Sequence, residues 1–133
     1  MILINNQPIE FKKFTDGSLD LINTTYLLEV VRRPSNPAIE VIANIKNSDD
    51  LIGLLLVKGF IDKFNIFKKG VTLELPYVPY MRSDRAMVQH NTIGGLKTIA
   101  PLINSLNFDR VLVLDPHSDV TEALINNIFI IEQ

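Results

Sequence analysis

Val71-Thr72-Leu73-Glu74-Leu75-Pro76-Tyr77-Val78-Pro79-Tyr80-Met81-Arg82-Ser83-Asp84-Arg85 is the stretch on which the reading of the fold turns. Its first five residues are mostly apolar, with Thr72 and Glu74 on the alternate face, as in a largely buried strand. Pro76 and Pro79 end that strand, because proline has no N–H to give to a ladder. A second run, Val111–Leu114, is short and fully apolar. Between the two, Thr92–Leu106 places Ile93, Leu96, Ile99, Ala100, Ile103 and Leu106 on one side of a helix. Pro101 is expected to kink or break that helix. Buried strand, helix and buried strand in succession predict that Val71–Leu75 and Val111–Leu114 pair in parallel. The implied fold class is α/β, a three-layer sandwich around a mainly parallel sheet.

Upstream, Asn47–Lys63 reads as a helix capped by Asn47 or Ser48. Asp49 and Asp50 suit its positive end, and Leu51, Leu54, Leu55, Val57 and Ile61 supply an apolar stripe. Gly53 and Gly59 lower its intrinsic propensity and point to close packing. Met1–Ile4 reads as an opening strand. Ile9–Phe14 and Leu19–Ile22 read as the arms of an N-terminal hairpin joined at Thr15-Asp16-Gly17-Ser18, where Asp-Gly favours a tight turn. Tyr26–Val31 is apolar with β-branched residues at its end. Pro34 and Pro37 forbid a helix continuing through them, and Ile39–Ile45 has a strand composition. Downstream, Asp119–Asn126 suits one or two helical turns and Ile128–Ile131 a terminal strand.

A length of 133 residues suits a single domain. Hydrophobic residues make up 47% and charged residues 21%, which fills a core and leaves room for an apolar contact with another subunit. A formal net charge of -2 argues against broad nucleic-acid binding, which needs clustered Lys and Arg. The absence of cysteine excludes disulfides and thiolate chemistry. No apolar run approaches the ~20 residues needed to span a bilayer. The N-terminus has no basic region leading into a long apolar one, so a cytoplasmic location is the default.

Ligands of open parallel sheets bind outside the C-terminal ends of the strands, and two unusual segments emerge there. In Pro76–Arg85, Arg82 and Arg85 can both reach phosphate oxygens, with Asp84 orienting one of them. The same three residues also suit a solvated loop ion pair. Tyr77 and Tyr80 either stack on a base or cover the sheet edge. In Asp115-Pro116-His117-Ser118-Asp119, the aspartates and His117 can offer oxygen and nitrogen ligands to a divalent cation, magnesium better than zinc. Equally, Asp115 or Ser118 can cap the next helix. Phe14-Thr15-Asp16-Gly17 is most simply a turn, with Phe14 in the core and Asp16 as turn former.

Together these segments resemble the ribose-phosphate pyrophosphokinase family. Leu75–Arg85 is similar to that family's proline- and aromatic-rich strand exit, which ends in Arg-Gln-Asp-Arg or Arg-Gln-Asp-Lys. Phe108–His117 is similar to its strand ending in Asp-Leu-His, and Phe14–Gly17 to its Phe-Ser-Asp-Gly-Glu turn. Asn47–Phe64 fits the helix between them. The resemblance runs over nearly the whole chain in the family's order and implies a phosphoribosyltransferase-like fold.

It also implies an activity: the diphosphoryl group of ATP passes to ribose 5-phosphate, with Mg2+, to form phosphoribosyl diphosphate. By this resemblance Arg82 contacts ATP phosphates, with Arg85 adding charge, and His117, beside Asp115, holds the magnesium-nucleotide. Phe14 and Asp16 hold adenine from a neighbouring subunit, which implies a homo-oligomer; the net charge and the lack of a spanning apolar run leave no nucleic-acid or membrane partner expected. Ser18 stands where the family has glutamate, Ser83 where it has glutamine, and Pro116 where it has leucine. The family has two similar α/β domains, and this sequence matches the first. The chain is therefore expected to be an N-terminal, ATP-contacting domain, 1–133, that is inactive without the second. The alternative is a noncatalytic regulatory or assembly domain of the same shape, which the Ser18 and Pro116 changes favour.

Overall fold

The computed structural model describes residues 1–78, 95–114 and 123–131. In chain order these form β1 (Ile2–Ile4), β2 (Gln7–Pro8), β3 (Phe11–Lys13), β4 (Leu19–Leu21), α1 (Thr24–Arg32), β5 (Ala38–Ala43), α2 (Ser48–Phe64), β6 (Gly70–Leu75), α3 (Gly95–Ser105), β7 (Arg110–Leu114) and β8 (Ile128–Ile131). The expected pairing is present: β6 and β7 are parallel neighbours, with Leu73 opposite Val111 and Leu75 opposite Val113. On the other side of β6, β5 is also parallel, with Val41 opposite Leu73. The six-stranded sheet has the order β2-β1-β5-β6-β7-β8, parallel from β5 to β8 and antiparallel at β1 and β2. This is a mixed α/β fold with a mostly parallel sheet and a separate hairpin of β3 and β4.

Period-two patterning decides which side of the sheet is covered. Ile39, Val41 and Ala43 of β5, Val71, Leu73 and Leu75 of β6, and Val111 and Val113 of β7 are all buried. The intervening residues, among them Glu40, Thr72, Glu74 and Arg110, are half-buried or exposed. Onto the buried rows pack Leu54, Val57 and Ile61 of α2, with Leu27, Val30 and Val31 of α1 and Leu96, Ala100 and Ile103 of α3 in the same core. Each such side chain contributes roughly 1.5–3 kcal/mol relative to leaving it in water. The core also takes in Lys58. Its ammonium lies 5.2 Å from the Phe108 ring centroid and pairs with the exposed carboxylate of Asp62 one turn on. Among the described residues, no helix is long and apolar enough to cross a membrane.

α2 starts as its sequence suggests: the Asn47 side chain accepts the Asp50 N–H at 2.9 Å, and the Asp50 carboxylate accepts the Lys46 N–H at 2.9 Å. Two backbone donors that the helix itself cannot satisfy thus find partners. Asn5 and Asn6, with φ of 47° and 66°, form the two-residue turn between β1 and β2.

The structure sharpens three readings. The expected strand over Ile9–Phe14 is shorter: Gln7–Pro8 belongs to the main sheet, and only Phe11–Lys13 to the hairpin. The stretch Tyr26–Val31 lies within α1, whose β-branched end is tolerated because Val30 and Val31 are buried. Third, α3 runs through Pro101 without ending there. Proline removes the bond to the Lys97 carbonyl, but Lys97 and Pro101 both face water, which can satisfy that oxygen.

The two α2 glycines do different things. A Cβ at Gly53 would lie 3.0 Å from Cζ of Phe11 and 3.3 Å from Cδ1 of Ile2, whereas one at Gly59 meets nothing within 4 Å. Only Gly53 lets the hairpin approach the helix. Gly59→Ala is therefore expected to stabilise the fold by about 0.5–1 kcal/mol through helix propensity. Gly53→Leu is expected to destabilise it by about 1–3 kcal/mol through overpacking. Urea unfolding midpoints of the two variants check both signs.

Candidate functional site

The hairpin stands on the first turns of α2. Phe11 packs against Gly53, and Lys13 Nζ pairs with the Asp49 carboxylate at 3.0 Å. Asp49 lies in the first turn of α2, which begins a few residues after β5 ends. The hairpin tip is therefore held on the side of the sheet where the parallel strands terminate.

At the tip, Phe14 N–H donates to the Ser18 carbonyl at 2.8 Å, and Gly17 N–H to the Phe14 carbonyl at 2.9 Å. Gly17 takes φ 88°, which a residue with a Cβ rarely adopts. The Asp16 carboxylate accepts Ser18 N–H at 2.9 Å and Ser18 O–H at 2.6 Å through the same oxygen, Oδ1. Asp16 is thus a turn former, as expected. These Ser18 bonds, the hydroxyl's first, hold the Asp16 carboxyl below its ordinary value. Its other oxygen, Oδ2, takes part in neither bond.

Phe14 is not a core residue. It is 45% exposed at the tip, past the part of the hairpin that touches α2, with Lys12 Nζ 5.2 Å from the centroid of its ring. A partly exposed aromatic ring with an ammonium over it, next to a fixed carboxylate, offers a face for a planar base and an acceptor for its amino group. By resemblance Ser18 is only a lost family glutamate. In the structure its hydroxyl is what orders Asp16, a role legible in the Asp-x-Ser spacing of an Asx-type turn. The Lys13–Asp49 tie spans distant positions and has no local signal.

The other candidates concern the C-terminal edge of the sheet. Leu75 and Leu114, the last residues of β6 and β7, lie within one residue of each other in register, so both strands end at one edge. Past β6, Val78 is buried and Tyr77 is partly exposed. Arg82, Arg85, Asp115 and His117 lie outside the described residues, as do Tyr80, Asp84 and Asp119. Among the described residues, no three acidic or histidine side chains gather as a cation site.

No family model matches the sequence. The fold is similar to the crystal structure of phosphoribosylpyrophosphate synthetase from Mycobacterium smegmatis, with a TM-score of 0.66 and 15% sequence identity over 94% of this chain. The chain spans 40% of the length of that protein. At that identity the likeness is one of fold.

The turn at the tip has a pH signature. A depressed carboxyl contributes order that is present above the ordinary value of about 4 and is lost as pH falls through the lowered one. Ser18→Ala is expected to return the Asp16 titration toward the ordinary value. Carboxyl-carbon NMR titration of both proteins reads this directly, and unchanged Asp16 behaviour in the variant would rule out the Ser18 hydroxyl as its main cause.

Proposed function

We propose that this chain is the ATP-contacting domain of a ribose-phosphate diphosphokinase. The observation that carries this reading is that β6 and β7, the strands leading into the arginine segment and the histidine turn, are parallel neighbours ending at one sheet edge. Strand-tip loops at such an edge are where phosphorylated ligands bind in open α/β sheets. The fold likeness to a phosphoribosylpyrophosphate synthetase adds support.

In this reading the 1-hydroxyl of ribose 5-phosphate attacks the β-phosphorus of ATP. The bond to the bridging oxygen on the AMP side breaks, AMP leaves, and the hydroxyl proton is released. Arg82 and Arg85 supply positive charge to the phosphate oxygens, where preorganised charge stabilises the transition state most. His117 and Asp115 would hold Mg2+, which neutralises charge on the same oxygens. Phe14 and Asp16 would receive adenine, the exposed ring by stacking and the carboxylate by accepting from the amino group. Because the tip projects from the body of the domain, it suits a nucleotide held by a neighbouring subunit in a homo-oligomer. Ribose 5-phosphate would be held by a second domain.

One observation favours the second reading, a noncatalytic regulatory or assembly domain. Ser18 replaces the family's glutamate and ties up one oxygen of Asp16. That leaves the tip with one fewer carboxylate for adenine.

Three outcomes are expected. The 133-residue chain alone forms no phosphoribosyl diphosphate from ATP and ribose 5-phosphate; product from it would overturn the division of labour between domains. In an enzyme completed by a second domain, Arg82→Ala loses roughly 2–4 kcal/mol of transition-state stabilisation, about 30- to 1000-fold in rate. His117→Ala lowers the rate while leaving the thermal unfolding temperature unchanged. Near-native rates for both folded variants would transfer the assignment to the noncatalytic reading.

A further inference from the structure

Where β5 and β6 begin, α1 and α2 end side by side. Arg32 Nε donates to the Phe64 carbonyl at 3.2 Å, and Lys69 Nζ to the carbonyls of Val31 and Arg33 at 2.9 and 2.8 Å. These two cations satisfy carbonyls that the helix ends leave open. With Arg33, Lys63 and Lys68, they bring five of the chain's 13 Lys and Arg residues into stretches 32–37 and 63–69. Neither stretch contains an acidic residue. The carboxylates that flank them in the fold are engaged: Asp62 pairs with Lys58, and Asp109 accepts the Val71 N–H at 2.7 Å.

The turn that links α2 to β6 is ordered by Asn65. Its carbonyl accepts the Lys68 N–H at 3.1 Å, and its side chain holds the N–H and the carbonyl of Lys69 at 3.0 and 2.9 Å. Ile66 and Phe67 therefore occupy the two corners of a β-turn. They are 58% and 62% exposed, more than any other large apolar side chain among the described residues except Met1. Lys68 follows at φ 50°. Turn corners favour Pro, Asn, Asp, Ser and Gly, and the left-handed region favours Gly and Asn. Ile-Phe-Lys answers none of these preferences, so backbone chemistry does not account for the sequence of this turn.

We propose that this end of the domain docks reversibly on an anionic lipid surface. Ile66 and Phe67 enter the boundary between headgroups and acyl chains, and the cations around them meet lipid phosphates. A convex turn needs no matching pocket in such a surface. Lysine stems lie along its apolar part while their ammoniums stay in the headgroup layer. The net charge of -2 gives no sign of this partner, because it averages the basic end with acidic residues elsewhere. Surface docking also needs no spanning helix. β6 and β7 end at the opposite edge of the sheet, so docking leaves that edge open and does not depend on the proposed activity.

Vesicles of equimolar phosphatidylcholine and phosphatidylglycerol, sedimented with the 133-residue chain, test the proposal. The chain should bind them, more weakly as salt rises, and should bind phosphatidylcholine alone about tenfold less tightly. Excess inorganic phosphate at matched ionic strength should not release it. Lys68→Glu and Phe67→Ser should each weaken binding about tenfold, with folding checked by thermal unfolding. Ile52→Ser, at an exposed apolar residue near the other end of α2, should leave binding unchanged. Phe67→Trp gives a direct reading: its emission should shift to the blue on the mixed vesicles, and brominated acyl chains should quench it. A chain that ignores the mixed vesicles, release by phosphate, unaltered Trp emission, or equal weakening by Ile52→Ser would each overturn the proposal. Binding to polyglutamate in place of the vesicles would also overturn it and assign the surface to an acidic polypeptide.

Discussion

Leu73 lies opposite Val41 on one side and Val111 on the other, and all three are buried. The structure depends on that row. A slip of β6 by one residue would turn Thr72 and Glu74 into the core and Val71, Leu73 and Leu75 out of it, because strand side chains alternate with a period of two. With the row in place, β6 and β7 must end together, and the segments beyond them must start from one edge. The start of α2 is fixed by the same register through β5.

The hairpin hangs on this frame through a few contacts. Gly53 admits the Phe11 ring, and Lys13 meets Asp49. An exposed ion pair of this kind contributes little stability, so the Phe11 contact sets the hairpin's angle and the charge pair refines it. The tip has its own local order in the Asp16–Ser18 bonds, which need nothing from the core.

The low charge content has a structural counterpart at the far edge. Exposed apolar residues, Phe129 and Ile131, stand on β8 beside the core-packed Ile128, while the opposite edge ends at Pro8.

Periodicity and capping chemistry determined much from sequence alone. Val71–Leu75, Val111–Leu114, the helix after Asn47 and the Asp-Gly turn were all legible, because strand alternation, an Asn cap and a positive-φ glycine are local properties. Phe14 and Asp16 were legible as candidates by resemblance, and Asp16 as a turn former by chemistry. Other features waited on the tertiary structure. Val30 and Val31 sit in a helix because burial outweighs β-branched propensity, and α3 passes Pro101 because water can reach the Lys97 carbonyl. Phe14 is exposed because the hairpin's contact with α2 stops short of it. The split of Gly53 from Gly59 arises from neighbours distant in sequence. Local order is written in a few adjacent residues; facing, exposure and free hydrogen-bonding edges exist only once the strands have chosen their register.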